Sequence, residues 1–416
     1  MAQLTSPLET APIDPEMAAD IDKFEEMLAG YFAGRVPEDV FRVFRLNNGI
    51  YGQRQGGTNQ MVRVKVPYGA MTADQLDALA DLVVDHSRGW GHITTRQNIQ
   101  FHFVELAEIP LVMRRLASVG LTTREACGDT VRNVQGCHLA GACPFEVLDI
   151  SAWSEAAYRH FVRNPISQRL PRKFKINFSG CDTDCGQAMF NDVGVIAASR
   201  THPDGSVEQG FRVYIAGGLG TTPFPALALE EFTSRGDLLP TIESVLRVFD
   251  QTGNRDNKLR ARLKWVVDQL GIDEVRRRVV ATRKFLPASS TWPGGVPEVV
   301  AEWGDDPAGL AADTTPTPIG QGVPVSLGAK TPFDQWVEAN VVRGAANGTV
   351  SAYAWCELGD VTADQFRAVA TIVREFDTDV RVTNRQNFVL RDLTEDQLPA
   401  LFQHLVDAGM AKPGAE

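Results

Sequence analysis

Two stretches of this chain are variants of one another. MTADQLDALADLVVDHSRGWGHITTRQNIQF begins at Met71, and VTADQFRAVATIVREFDTDVRVTNRQNFVL begins at Val361. Thr72 matches Thr362 at a spacing of 290, and Arg96 matches Arg385 at 289, so one residue drops out of the loop between helix and strand. This repeat constrains the fold more than any other feature. Two copies of one unit fold alike, and their equivalent surfaces can pair around a pseudo-twofold axis. Each copy reads strand, helix, strand. QMVRVKVPYG alternates apolar and polar residues, as a half-buried strand does. TADQLDALADLVVDH opens on a threonine and has helical apolar spacing. HITTRQNIQFHFV alternates again, and IPLVMRRLASVG reads as a further helix stopped by Gly120. A β-α-β-α unit of this kind is about half of a duplicated α+β module.

Between the copies, from about 121 to 285, lies a larger unit. KFKINFSG and FRVYIAGGLG read as strands, and YRHFVRNPI and LRARLKWVVDQLG as helices. Residues 286–330 are rich in Pro, Gly and small side chains and read as a linker without a core of its own.

Five of the six cysteines fall in this larger unit, and four of them form two pairs, Cys137 with Cys143 and Cys181 with Cys185. Four thiolates hold either a tetrahedral zinc ion or an iron–sulfur cluster. Zinc ribbons favour tight C-x2-C knuckles, whereas the intervals of five and three residues here wrap a larger, cube-shaped cluster more naturally. Four unligated core cysteines are the third reading. Cys127 and Cys356 have no near partner in sequence and read as buried free thiols. Basic residues flank the cysteines. Arg132 precedes Cys137, and Lys173 and Lys175 alternate in LPRKFK, as Arg63 and Lys65 do in MVRVKV. On a strand, each alternating pair points one way. Like charges on one face repel unless the face meets an anion.

Composition then removes several classes of function. The formal net charge of -11 argues against a general nucleic-acid binder. No apolar run reaches the length of a membrane span, and MAQLTSPLETAPIDPEMAAD lacks the basic and apolar regions of a secretory signal. The expectation is a soluble cytoplasmic protein without membrane or nucleic-acid partners.

Taken together, VFRLNNGIYGQRQGG, MVRVKVPYG, TTRQNIQFH, DTVRNVQGC, LPRKFK, SGCDTDC, GNRDNKLRARLKW and VTNRQNFVL resemble the siroheme-dependent sulfite/nitrite reductase family over about 40–412, the linker apart. The resemblance implies an α+β fold of two ferredoxin-like half-domains flanking a larger mixed α/β module. It divides the chain into an N-terminal extension (1–39), half-domain one (40–120), a siroheme and 4Fe–4S module (121–285), a linker (286–330) and half-domain two (331–412). It implies a 4Fe–4S cluster on Cys137, Cys143, Cys181 and Cys185, with Cys185 bridging to the siroheme iron. Arg63, Arg132, Lys173 and Lys175 match the positions that bind the substrate anion and assist its protonation. Thr94, Arg96, Asn98, Gln100 and His102 lie in the siroheme-carboxylate segment. The implied reaction is the six-electron reduction of sulfite to sulfide or of nitrite to ammonia, with electrons from a ferredoxin or a flavoprotein. Lysine at position 175 leans toward sulfite.

The resemblance also marks departures. Family members usually carry a second large module, and this sequence shows one. Well-known sulfite reductases place the cysteines in the second module, opposite the basic residues of the first, whereas both sets stand here in one module. Tyr353, not an arginine, occupies the repeat position of Arg63. A second chain or a homodimer that completes the site is therefore expected. The alternatives are a precorrin-type tetrapyrrole monooxygenase of the same fold and a noncatalytic or partial electron-relay subunit or fragment.

Overall fold

The computed structural model describes residues 12–55, 57–286, 330–346 and 348–415, so nearly all of the Pro/Gly-rich stretch lies outside the described residues. In chain order the first part comprises α1 (Pro15–Phe32), α2 (Glu38–Asn47), β1 (Ile50–Gly52), β2 (Asn59–Val64), β3 (Ala70–Met71), α3 (Ala73–His86), β4 (Trp90–Ile93), β5 (Ile99–Glu105) and α4 (Ile109–Ala117). The middle part comprises β6 (Gln135–Gly136), α5 (Ser151–Phe161), β7 (Ile176–Ser179), β8 (Val193–Thr201), β9 (Val207–Ile215), β10 (Leu227–Ser234), α6 (Leu238–Thr252), α7 (Leu263–Leu270) and α8 (Ile272–Arg283). The last part comprises α9 (Pro332–Asn340), β11 (Val341–Arg343), β12 (Thr349–Ala354), β13 (Asp360–Thr362), α10 (Ala363–Phe376), β14 (Asp379–Val382), β15 (Phe388–Thr394) and α11 (Leu398–Asp407). The class is α+β, with helices and mixed or antiparallel sheets in separate layers.

The repeat is visible in the local chemistry. Thr72 and Thr362 cap α3 and α10 through the same reciprocal box, each hydroxyl accepting from the backbone N–H of Gln75 or Gln365 while the glutamine carbonyl accepts in return. Such a cap is worth about 1 kcal/mol. The two helices pack on each other in one core, which Leu76, Leu79 and Val83 share with Phe366, Val369 and Ile372. Arg374 pairs with Asp74 and Asp77 across them, at 2.7 Å each.

The two repeats exchange strands. One sheet runs β1-β2-β5-β4-β13 and another β11-β12-β15-β14-β3, so each repeat lends a strand of two or three residues to the other's sheet. Turn glutamines mirror the exchange. Gln97 Nε2 donates to Val382 O (3.0 Å), and Gln386 Nε2 donates to Ile93 O (2.7 Å). Helix α1 joins this core through Ile21, Phe24 and Leu28. The middle part has its own core and a sheet of order β10-β9-β8-β7-β6, in which β6, β7 and β8 run parallel and β9 and β10 antiparallel. Parallel β6 and β7 position the candidate site, because they carry the basic residues into one end and the cysteines out of the other. No helix of the described residues is long and apolar enough to cross a membrane.

Candidate active site

The basic residues converge. Arg63 on β2 sits across from Gln100 on β5. With the Gln100 amide oxygen turned toward it, Arg63 Nε lies 2.9 Å away. Arg63 also donates to Ala126 O and reaches Cys127 Sγ, both at 3.4 Å. Arg132 donates to the same Ala126 carbonyl (3.0 Å) and clasps Gly128 O with two nitrogens, at 3.0 and 2.9 Å. One loop, 126–128, therefore places both guanidiniums. Lys173 and Lys175 flank Phe174, which bridges Val131 in parallel fashion just before β7 begins. Burial pushes Lys173 down to about 8, helped by Arg132, Arg262 and Arg172. Burial pushes Lys175 down to about 7, and Arg96, Arg262 and Lys173 add to it while Asp192 opposes. Burial likewise lowers Arg132 to about 10, and Arg63 stands close enough to repel it.

The segment between β4 and β5 forms a tight turn that delivers Arg96 to the same place. Thr94 Oγ1 accepts from the N–H groups of Arg96 and Asn98, at 3.2 and 3.1 Å, so Thr94 and Asn98 shape the turn. The Arg96 guanidinium donates to Asn177 Oδ1 and Asn191 Oδ1 (3.1 Å each) and to Asn133 O (2.7 Å). Its Nε is buried without a hydrogen bond, a donor aimed at nothing within the described chain. Burial first, then Arg132, holds Arg96 down at about 9. His102 stands apart from this group. Its ring stacks on Trp90 at 5.6 Å, and burial lowers its pKa.

Reasoning from sequence missed four members. Asp192, fully buried, takes both nitrogens of Arg262 (2.9 and 2.8 Å) and the backbone N–H of Lys175 (3.0 Å). Asn133 and Asn177 are fully buried and hold the Arg96 turn and the cysteine loop. Asn133, Asn177 and Arg262 lie inside DTVRNVQGC, KFKINFSG and GNRDNKLRARLKW, and Asp192 lies seven residues beyond SGCDTDC, but nothing local marks them. One expectation is corrected. Lys65 does not share an anion face with Arg63. Strand β2 ends at Val64, and Lys65 turns inward, where Nζ reaches the buried carboxylate of Glu125 and Val131 O (3.5 and 3.4 Å). Its charge is spent on an internal ion pair.

The four cysteines also come together, as two hydrogen-bonded pairs. Cys137 donates to Cys185, which raises the first and lowers the second. Cys143 donates to Cys181, which raises the first and holds the second at about 5. The pairs sense each other, Cys143 acting on Cys137 and Cys181 on Cys185. Among the described residues no three His, Cys, Asp or Glu side chains are placed to hold one metal ion. Two neighbouring pairs that sense each other suit a cluster with iron at several corners better than one tetrahedral zinc. The loop is built for this. A Cβ on Gly186 would lie 1.9 Å from Phe178 O, so only glycine lets the chain fold back after Cys185. Cys127 and Cys356 are both buried free thiols.

Along β6 and β7 the two groups are separated. Arg132 and Lys175 precede the strands, and Cys137 and Cys181 follow them, roughly 15–20 Å apart at the rise of a parallel strand. Only Cys185 returns, since Asn177 Nδ2 holds Gly186 O at 2.7 Å beside the middle of β7.

Comparison with known proteins identifies both the middle module and the two repeats. Residues 127–285 match the nitrite and sulphite reductase 4Fe-4S domain, and residues 51–119 and 345–408 match the nitrite/sulfite reductase ferredoxin-like half domain. The assimilatory ferredoxin-dependent nitrite reductase of Haloferax mediterranei is 33% identical over 244 residues, covering 56% of this chain and 42% of that protein. The sulfite reductase [ferredoxin] of Mycobacterium tuberculosis H37Rv is 35% identical over 216 residues, covering 52% of this chain and 38% of that protein. The match thus spans about two fifths of these relatives' own length. The solved structure of the M. tuberculosis NirA protein superposes with a TM-score of 0.74 at 26% identity, covering 96% of this chain and 70% of that one. The two half-domain repeats are ferredoxin-like, the family implies siroheme and a 4Fe–4S cluster as cofactors, and the chain belongs to the nitrite and sulfite reductase family.

Proposed function

We propose that this chain reduces a small oxyanion, sulfite or nitrite, with Arg63, Arg132, Lys173 and Lys175 as its anion-binding and proton-donating residues. The observation that carries the reading is the convergence of these four with Arg96 and Arg262 around one buried carboxylate, Asp192, in a chain of net charge -11. Six cations against one carboxylate leave room for anions. Siroheme and the 4Fe–4S cluster, when bound, supply the electrons one at a time.

The chain's own residues do the rest. Arg63 and Arg132, fixed to one loop, hold the oxyanion. Lys173 and Lys175 sit near neutral pKa because they are buried among cations. A bound anion raises their proton affinity, and they give protons as oxygen leaves as water. Arg96, with its unpaired Nε, is the residue for a siroheme carboxylate. Cys137, Cys143, Cys181 and Cys185 would hold the cluster, and Cys185, the one thiol returning toward the cationic end, would be the ligand that links it to the siroheme. Lys175 favours sulfite over nitrite, and a ferredoxin-like or flavin donor supplies the electrons. A second module or a second copy brings thiolates opposite the cations, since the two groups of this chain stand at opposite ends of β6 and β7.

The test is anaerobic purification, a visible spectrum, and turnover of sulfite and nitrite with a reduced viologen dye. Siroheme bands with turnover of either anion support the reading. A chain that binds neither siroheme nor iron overturns it.

A further inference from the structure

The two repeats differ where they approach the middle module. His92 and His102 of the first repeat correspond, 289 residues on, to Arg381 and Arg391 of the second. In the first repeat these histidines stay on their own sheets, His92 bound to Asp360 at 2.7 Å and His102 stacked on Trp90. In the second repeat both arginines leave the half-domain and enter the cysteine loop. Arg381, 3% exposed, donates to Cys137 O (3.4 Å) and to Ser151 Oγ (2.8 Å). Arg391, 4% exposed, donates to Ala140 O and to Asp379. Asn384 of the same repeat donates to Cys185 O at 2.6 Å. Both arginines keep a buried Nε with no hydrogen bond. The carboxylates beside them are Asp379 and Asp149, half-buried and better screened by water, and Glu146 of the cysteine loop, which burial pushes up to about 7.

We propose that Arg381 and Arg391 are positioning residues that clamp the Cys137–Cys143 loop and, as buried cations, set the reduction potential of the cluster those cysteines hold. This inference rests on reading the four cysteines as cluster ligands. A cluster on four thiolates is anionic and becomes more so when it accepts one electron from an external low-potential donor, with no bond made or broken. A buried guanidinium next to the ligand loop favours the more negative, reduced form and so raises the potential. The His-to-Arg change between repeats supplies this charge on one side of the molecule only.

The test is an electron-paramagnetic-resonance redox titration of the full chain, reconstituted anaerobically, with iron counted in the same samples. Dithionite serves as the reductant. Arg391→Gln and Arg381→Gln are expected to lower the reduced-to-oxidised ratio at the wild-type midpoint about tenfold, a shift of about 59 mV for one electron. Arg391→Lys restores most of it. Asp379→Asn, which removes a negative charge from the same cluster of groups, shifts the midpoint the other way and keeps the iron. Glutamine variants with full iron content and an unmoved midpoint would show that the arginines only brace the backbone. Should they bind no iron, Asp379→Asn decides, and an unmoved or lowered midpoint there overturns the inference. A wild-type chain without iron removes the cluster reading itself, and this inference with it.

Discussion

Lys175 is the residue at which charge, burial and chemistry meet most closely. Its pKa is pushed down to about 7, first by burial, then by Arg96. The sign of the consequence is fixed. A lysine with a lowered pKa carries its charge below about 7 and loses it as pH rises, so anion capture weakens on the alkaline side. Lys173 follows at about 8. KM for nitrite, whose own charge is constant across this range, should therefore rise several-fold between pH 6.5 and 9, and a flat profile would remove both lysines from anion binding. Lys175→Asn removes a cation and frees space; it should shift the ratio of sulfite to nitrite turnover toward nitrite with both cofactors retained. Equal losses for the two anions would instead indicate a general electrostatic role. The cysteines and three of the four substrate-anion candidates carry visible signals, paired spacing and alternating charge. Asp192, Arg262, Asn133 and Asn177 carry none, because their partners lie up to 81 residues away in the chain, as Arg96 does from Asn177. Lys65 shows the limit of alternation. It fixes the side a residue faces on a regular strand, but not that the strand stops one residue earlier and that Glu125 waits inside.

At the level of elements, the repeat, its helices and its long strands were readable from apolar period and cap signals. The exchange of β3 and β13 was not, because strands of two and three residues have no period to read. Two glutamines lock that exchange, and they are unequal. Gln97, fully buried, bonds Val382 O and also both Gly136 O (3.1 Å) and Gly136 N (3.2 Å), tying the first repeat to the second and to β6 at once. Gln386 is half-buried and bonds Ile93 O and His92. Removing the Gln97 amide strands several buried backbone groups, each costing about 1–3 kcal/mol. Gln97→Ala should lower stability in urea by about 2–4 kcal/mol on that basis, and Gln386→Ala by about 1 kcal/mol. Equal effects would mean that the two turns are structurally equivalent despite the middle module. The region beside β7 is similarly tight. Gly186→Ala, which puts a methyl on Phe178 O, should cut bound iron while leaving the helical circular-dichroism signal in place.

Across the whole molecule, the cations and three of the four cysteines occupy opposite ends of the parallel strands of one module. That division follows from the order of residues along two strands, yet it becomes visible only once β6 and β7 are known to run parallel. It leads to the expectation that productive turnover accompanies association. Light scattering alongside a sulfite-reduction assay should find activity in a dimer or in a complex with a second module, and a fully active monomer would show that the single module closes the site alone. Beneath this stands the claim that the four cysteines hold one cluster and that Cys185 joins it to the siroheme iron. The most direct measurement is the iron count and electron-paramagnetic-resonance spectrum of the intact chain and of Cys185→Ser, both prepared without oxygen. The account predicts about four cluster irons in the parent chain, with the cluster and the coupled heme signal both lost in the variant. Zinc in place of iron, or a variant with an intact cluster and unchanged coupling, would contradict it.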